Sequence, residues 1–277
     1  MTQASAQIIA DSIGPLGQRV TTMQVVLWRP LLAEFNTHRV FSRNSASSRA
    51  ISITKQIDRL TNDPAYPIAW LCEQPGMQGG AELVEEDLLL AQELYIDLHD
   101  YVLSRTIEYL DVVKRRYPDL DEKDVKAHTL HKSLLARPME TWMWQTIVVT
   151  ATEWDGFFHQ RATEFSQGAQ AEFRATADAM LTALRESTPT ELDYGQWHLP
   201  YVLGENRDFV FDGDRQWAES IEDSDSALKN LSTARCAGVS YLSQDGVRDP
   251  DNDLRIYHNL VAADPKSVPG GGYSYAA

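Results

Sequence analysis

The chain has 277 residues, 43% of them apolar, enough for a real core in one large α+β domain spanning 1–277 or in two merged lobes. Forty acidic side chains against 25 basic ones give a formal net charge of −15. That charge argues against direct nucleic-acid binding, which needs a basic face, but leaves room for a small anion in a local basic pocket. The two cysteines, Cys72 and Cys236, lie far apart without metal-ligand spacing, so neither a disulfide scaffold nor a metal site is expected and a reducing cytoplasm is the default. MTQASAQIIADSIGP lacks the basic and apolar regions of a signal peptide, and no apolar run approaches the roughly 20 residues of a membrane span.

In chain order, Gln7 to Ser12 reads as a strand and GPLGQ, Gly14 to Gln18, as a turn. RVTTMQVVLW, Arg19 to Trp28, is β-branched and reads as a second strand ended by Pro30. Leu31 to Thr37 reads as a short helix, Ile51 to Thr61 as another, and Glu73 to Gly80 as a loop. From Ala81 to Tyr117 the apolar positions recur at helical spacing, and a further helix is expected from Glu122 to Arg137. Thr146 to Trp154 is ambiguous between helix and strand. Ala169 to Ser187 reads as an amphipathic helix stopped before Pro189, and Ser226 to Tyr241 as another. The Gly-rich end, 264–277, reads as mobile.

The densest polar cluster is EFNTHRVFSRNSASSRA, Glu34 to Ala50. It gathers His38, Arg39, Ser42, Arg43, Asn44, Ser45, Ser47, Ser48 and Arg49 within a dozen positions. Hydroxyls, amides and guanidiniums at that density suit a phosphate or nucleotide; the ordinary alternative is a polar loop whose serine caps the next helix. No GxGxxG, GxxxxGK[ST] or GxSxG motif is present. Both cysteines read as small buried hydrophobes.

THRVFSRNSASSR resembles the signature of flavin-dependent thymidylate synthases, roughly RHRxxSxNExSxR. His38, Arg39, Ser42, Asn44, Ser47 and Arg49 match with the spacing kept, while Thr37 replaces the first Arg and Ser45 the Glu. LHKSLLAR (Leu130 to Arg137), VVTATEWDGFFHQR (Val148 to Arg161), AQAEFR (Ala169 to Arg174) and QWHLPYV (Gln196 to Val202) resemble further segments of that family. ARCAGVSY, Ala234 to Tyr241, resembles a segment that typical members carry near the N-terminus, so the chain looks like a rearranged branch. Glu34 stands where the family has Gln, and SVPGGG, Ser267 to Gly272, where it has a histidine-bearing flavin-contact segment.

The resemblance implies an α+β fold of mixed helices with an antiparallel sheet, assembled as a homotetramer with shared active sites. It implies C5-methylation of a pyrimidine deoxynucleotide monophosphate, most simply dUMP to dTMP. Methylenetetrahydrofolate would give the carbon, NADPH would reduce FAD, and FAD would give the hydride. Ser47, Ser48 and Arg49 would take the nucleotide phosphate, Arg137 would be a second anion clamp, and Arg161 would polarise the pyrimidine edge. Arg161 and Arg49 are then the catalytic candidates, and His38, Arg39, Ser42, Asn44 and Ser45 would hold FAD. For Arg137 and Arg161 the ordinary alternative is a surface ion pair with Glu140 and Glu164; for Glu34 it is a cap or a pair with Arg39. A carboxylate at Glu34 can accept from a cytosine amino group, which leaves dCMP methylation or hydroxymethylation open. A catalytically inactive nucleotide-binding homologue is the third possibility.

Overall fold

The computed structural model describes residues 3–202, 221–239 and 250–257. It is α+β, as expected, with a five-stranded sheet. Strands β1 (Ser5–Ile13) and β2 (Arg19–Trp28) form an antiparallel hairpin. Its turn closes through Gly14 N–H to Gln18 O at 2.9 Å and Gly17 N–H to Gly14 O at 2.9 Å, and Gly17 has a φ of +81°, a conformation a side chain would strain. Strand β4 (Trp144–Ala151) pairs antiparallel with β2, and β3 (Ser42–Ser45) pairs antiparallel with the outer side of β4. The two-residue β5 (Thr190–Glu191) adds to β1 in parallel, giving the order β3-β4-β2-β1-β5. The ambiguous Thr146–Trp154 run is therefore mostly strand; its β-branched residues fit a strand paired on both sides.

Period-two alternation sorts the sheet into two different faces. Met23, Val25 and Leu27 of β2 and Ile147, Val149 and Ala151 of β4 bury against Phe35, Phe157, Phe158, Phe173, Ala177 and Met180. Those partners come from α1 (Leu32–Phe35), α6 (Asp155–Arg161) and α7 (Ala171–Glu186). The other face carries Thr22, Gln24 and Thr150, and is covered around Val148 by Tyr201, Cys236 and Val239. Its polar groups are paired: His198 bonds Ser12 and Thr22 at 2.9 Å each, and the Tyr201 hydroxyl donates to Gln24 Oε1 at 2.8 Å. Helix α8 (Ile221–Gly238) lies over this face, followed by α9 (Pro250–Tyr257).

Between β3 and β4 run α2 (Ile53–Asn62), the 32-residue α3 (Glu85–Arg116) and two short helices, α4 (Glu122–Val125) and α5 (Lys132–Leu135). Helix α3 has Glu85, Glu86 and Asp87 in its first turn and Lys114, Arg115 and Arg116 in its last, which complements its dipole. The single helix expected from Glu122 to Arg137 is corrected: the chain turns extended at Thr129 and restarts at His131. Two local bonds explain the break. Tyr109 of α3 accepts the Leu130 N–H at 2.8 Å, and His131 caps the new helix by accepting the Ser133 N–H at 3.2 Å. The expected segments at Ser267 to Gly272 and 264–277 lie outside the described residues.

Candidate functional site

The 34–49 segment is not one loop. It runs from α1 through a turn into β3 and then into a second turn before α2, and it makes two separate clusters. In the first, Arg161 ends α6 with its guanidinium 4.7 Å from the centre of the Phe173 ring. Its Nη1 donates to Glu34 Oε1, and its Nε approaches His38 Nε2 at 3.4 Å. His38 stands edge-on to Phe157 at 4.9 Å. Burial, then the positive charges of Arg161 and Arg43, push the His38 imidazole below its ordinary pKa, so the ring is neutral and Nε2 can accept. Arg43 holds the turn together by donating to Asn36 O at 2.7 Å and Phe41 O at 2.8 Å.

The second cluster is built on the turn from Ser47 to Arg49. Ser48 is buried and hydrogen-bonds the Glu140 carboxylate, Ser47 is half-buried, and Arg49 is exposed. Gln56 of α2 fixes the turn from beneath, donating to Ser48 O and Ile51 O at 3.0 Å each. Lys132 Nζ donates to Ala50 O at 3.2 Å. Glu140 accepts from Arg29 at 3.0 Å and from Arg137 at 3.1 Å on each oxygen. Burial raises the Glu140 pKa, but bonds from Ser48, Arg29 and Arg137 and the charge of Arg29 outweigh it, so the carboxylate stays ionised. A cleft of about 250 Å³ opens here, lined by Ser48, Arg29, Gln56, Trp142 and Gln145 among others.

Along β3, Asn44 Nδ2 donates to Cys236 O at 3.0 Å and its Oδ1 accepts the Ser45 N–H at 3.0 Å. The ARCAGV stretch is thus packed on the signature strand. Beside it lies a cleft of about 510 Å³ lined by Asn36, Phe41, Arg43, Asn44 and Ser45. Arg39 and Ser42 are exposed and make no side-chain hydrogen bond among the described residues. Cys236 and Cys72 are half-buried and not joined in a disulfide, and no cluster of three or more metal-type side chains occurs among the described residues.

Several pairings differ from the ordinary alternatives. Arg161 pairs with Glu34, not Glu164, whose partner is Arg185 at 2.6 Å; Glu34 in turn pairs with Arg161 and not Arg39. Arg137 does pair with Glu140, as a surface ion pair would. Lys132 and Arg29 were not singled out by the sequence, and Glu140 was named only as a partner for Arg137. Lys132 lies inside the LHKSLLAR stretch, which was a usable signal; the Arg29–Glu140 pair spans 111 residues and left none.

No protein-family model matches the sequence, and no curated protein does. Solved structures are similar to it. One is a UMP/dUMP methylase, PolB, from Streptomyces cacaoi bound with 5-Br UMP: 12% identity over 67% of this chain and 90% of that one, TM-score 0.47. The same protein bound with 5-Br dUMP gives 11%, 67%, 91% and 0.42. Thymidylate Synthase X from Helicobacter pylori with FAD and dUMP gives 18% identity over 60% of this chain and 67% of that one, TM-score 0.33.

Proposed function

We propose that the protein alkylates C5 of a pyrimidine deoxynucleotide monophosphate in the cytoplasm, most simply converting dUMP to dTMP. One observation carries this function: the 34–49 segment builds a hydroxyl-and-cation turn at one end, and at the other its Glu34 and His38 meet the Arg161 guanidinium held over the Phe173 ring. Ser47 and Arg49, with Lys132 and Arg137 beside them, offer hydroxyl and charged donors to a phosphate, while buried Ser48, bonded to Glu140, supports the turn. Glu140 is the resident counter-ion that keeps Arg29 and Arg137 extended toward that turn. Arg161, stiffened by Phe173 and Glu34, offers planar N–H donors to a ring carbonyl on which negative charge builds as C5 reacts.

FAD fits the β3 edge in part. Arg39 and Ser42 are open to meet its diphosphate and Ser45 lines the adjoining cleft, whereas the Asn44 amide donates to Cys236 O and supports the strand. Reduced FAD would supply the hydride, NADPH would reduce it, and methylenetetrahydrofolate would supply the carbon. A homotetramer with shared active sites accords with the exposed apolar side chains of α3, among them Leu90, Leu94 and Tyr101.

A second substrate is favoured by one contact. The Glu34 carboxylate sits on Arg161, so an acceptor is presented together with the donors. Cytosine would meet that acceptor with its C4 amino group, where uracil has a carbonyl, which makes dCMP the alternative to dUMP if Glu34 lies at C4. The test is turnover of each nucleotide separately with FAD, NADPH and methylenetetrahydrofolate, read by mass spectrometry. A product heavier by one methylene on dUMP supports thymidylate synthesis. A methyl or hydroxymethyl gain on dCMP supports the second substrate. A colourless protein with no product on either overturns both and leaves an inactive homologue.

A further inference from the structure

We propose that the cleft at the N-terminal end of α7 is a second binding site, for a planar heterocycle presenting an amidine edge, an amino group beside a ring N–H, to the Glu172 carboxylate. The cleft measures about 630 Å³, within the roughly 300–1,000 Å³ of small-molecule sites. It is separate from both clusters of the 34–49 segment; none of their residues lines it.

Its walls are built. Trp70 and Tyr95 meet edge to face with ring centres 5.1 Å apart, and buried Trp28 closes another side. Residues 70–83 fold over the cleft as a flap, closed by Leu83 N–H to Trp70 O at 2.7 Å and Cys72 N–H to Ala81 O at 2.8 Å. The two arms of the flap approach so closely that a Cβ on Gly79 would stand 2.5 Å from Leu71 Cβ, and one on Gly80 2.6 Å from Cys72 Sγ.

Glu172 gives the site its chemistry. It lines the cleft and is 5% exposed. Its Oε1 accepts the Ile68 N–H at 2.8 Å, and its Oε2 accepts no hydrogen bond among the described residues. The nearby Arg174 does not neutralise it, because that guanidinium donates to Gln167 O at 3.1 Å and Ala169 O at 2.7 Å. Burying a carboxylate is unfavourable unless donors satisfy it. An amidine edge provides two parallel N–H groups, the geometry that makes guanidinium–carboxylate pairs strong. A flat ring also suits aromatic walls, and the Gln78, Gln167 and Gln170 amides that line the cleft can meet its carbonyl and ring nitrogens.

Two ligands carry this edge on a fused ring: a pterin, as in folates, and guanine. Either ligand would occupy a site apart from the Arg161 and Ser47–Arg49 clusters, so neither case rests on the reaction proposed above. The experiment is calorimetric titration of the full chain, without flavin or pyrimidine nucleotide, using 5-formyltetrahydrofolate, guanosine and inosine. Inosine lacks the amino group. Binding of either of the first two, with inosine roughly tenfold weaker or worse, is expected, and which one binds names the source. Glu172→Gln, which keeps a carbonyl for Ile68 but can turn an N–H₂ to the ligand, is expected to weaken binding by a similar factor. Tyr95→Leu tests the wall independently if Glu172→Gln does not fold. No binding of either ligand, inosine binding equally well, or affinity unmoved by the folded variants overturns the site. Turnover of dUMP and dCMP is measured apart, so a chain that alkylates but fails here loses only this inference.

Discussion

The Glu140 network gives the most quantitative prediction, because its two arginines differ sharply in exposure. Arg29 is 15% exposed and Arg137 57%, while the Glu140 carboxylate they share is 20% exposed. Among the described residues, Glu140→Ala leaves Arg29 with Gln145 as its one side-chain partner and removes the acceptor for the Ser48 hydroxyl. Breaking a buried pair costs about 3–5 kcal/mol, and discounting for the part of this one still wet gives about 2–3 kcal/mol. For a chain of this size that is a fall of roughly 4–12 °C in Tm. Arg137→Ala removes only the exposed arm, worth under about 1 kcal/mol, so Tm should move by no more than roughly 4 °C. Its cost should appear in ligand binding instead, with nucleotide affinity down roughly tenfold or more through loss of a charged donor to phosphate. Thermal unfolding and calorimetric titration with dUMP and dCMP on both variants read the two effects. Equal destabilisation by the two substitutions, or full nucleotide affinity in Arg137→Ala, would refute the division of labour.

Glu34→Gln should shift Tm only slightly, since Glu34 is 39% exposed, yet alter base choice. If Glu34 reads cytosine, kcat/KM for dCMP falls at least about tenfold relative to dUMP, and an unchanged ratio removes Glu34 from the site. Burial holds His198 below its ordinary pKa, with Asp11 acting weakly the other way. Between the lowered folded pKa and the unfolded value of about 6.5, the unfolded chain binds a proton that the folded chain refuses, so stability rises with pH there. It is fully present above about pH 6.5 and lost on acidification toward the folded pKa. The drop in Tm from pH 7.5 to 5.5 should be smaller in His198→Gln than in the wild type; an equal drop assigns the effect to other groups, of which His38, also lowered, is the first to test.

What could be read from the sequence divides along the range of the interactions. The β1–β2 hairpin and α7 were legible because turn glycines, β-branched alternation and helical spacing are local signals. Strand β3 was not, because SRNS has no apolar alternation and is made a strand by backbone pairing with β4, over a hundred residues on. The Glu122–Arg137 segment failed for a similar reason, since a Tyr109 hydroxyl captures the backbone where a helix would have continued. At the site, the pattern of residue types marked His38 through Arg49. It could not show that Glu34 pairs with Arg161, or that Arg29 shares Glu140 with Arg137, because those partners meet only in the fold.

The position of β3 bears on how one ligand could use both clusters. Glu34 and His38 precede the strand, Ser47 to Arg49 follow it, and the two sets share no hydrogen bond or ion pair among the described residues. Four strand residues advance about 13 Å at roughly 3.3 Å each. Within one chain, a single nucleotide touching Arg161 and Arg49 would therefore have to lie along the outer edge of the sheet. Among the described residues β3 pairs with β4 on one side and with no strand on the other. The shared-site arrangement proposed above removes the demand, because the phosphate turn of one copy and the Arg161 cluster of another can face the same base. In the pairing seen here Glu34 and Phe173 already hold Arg161 in place, so the guanidinium need not be ordered when a nucleotide binds.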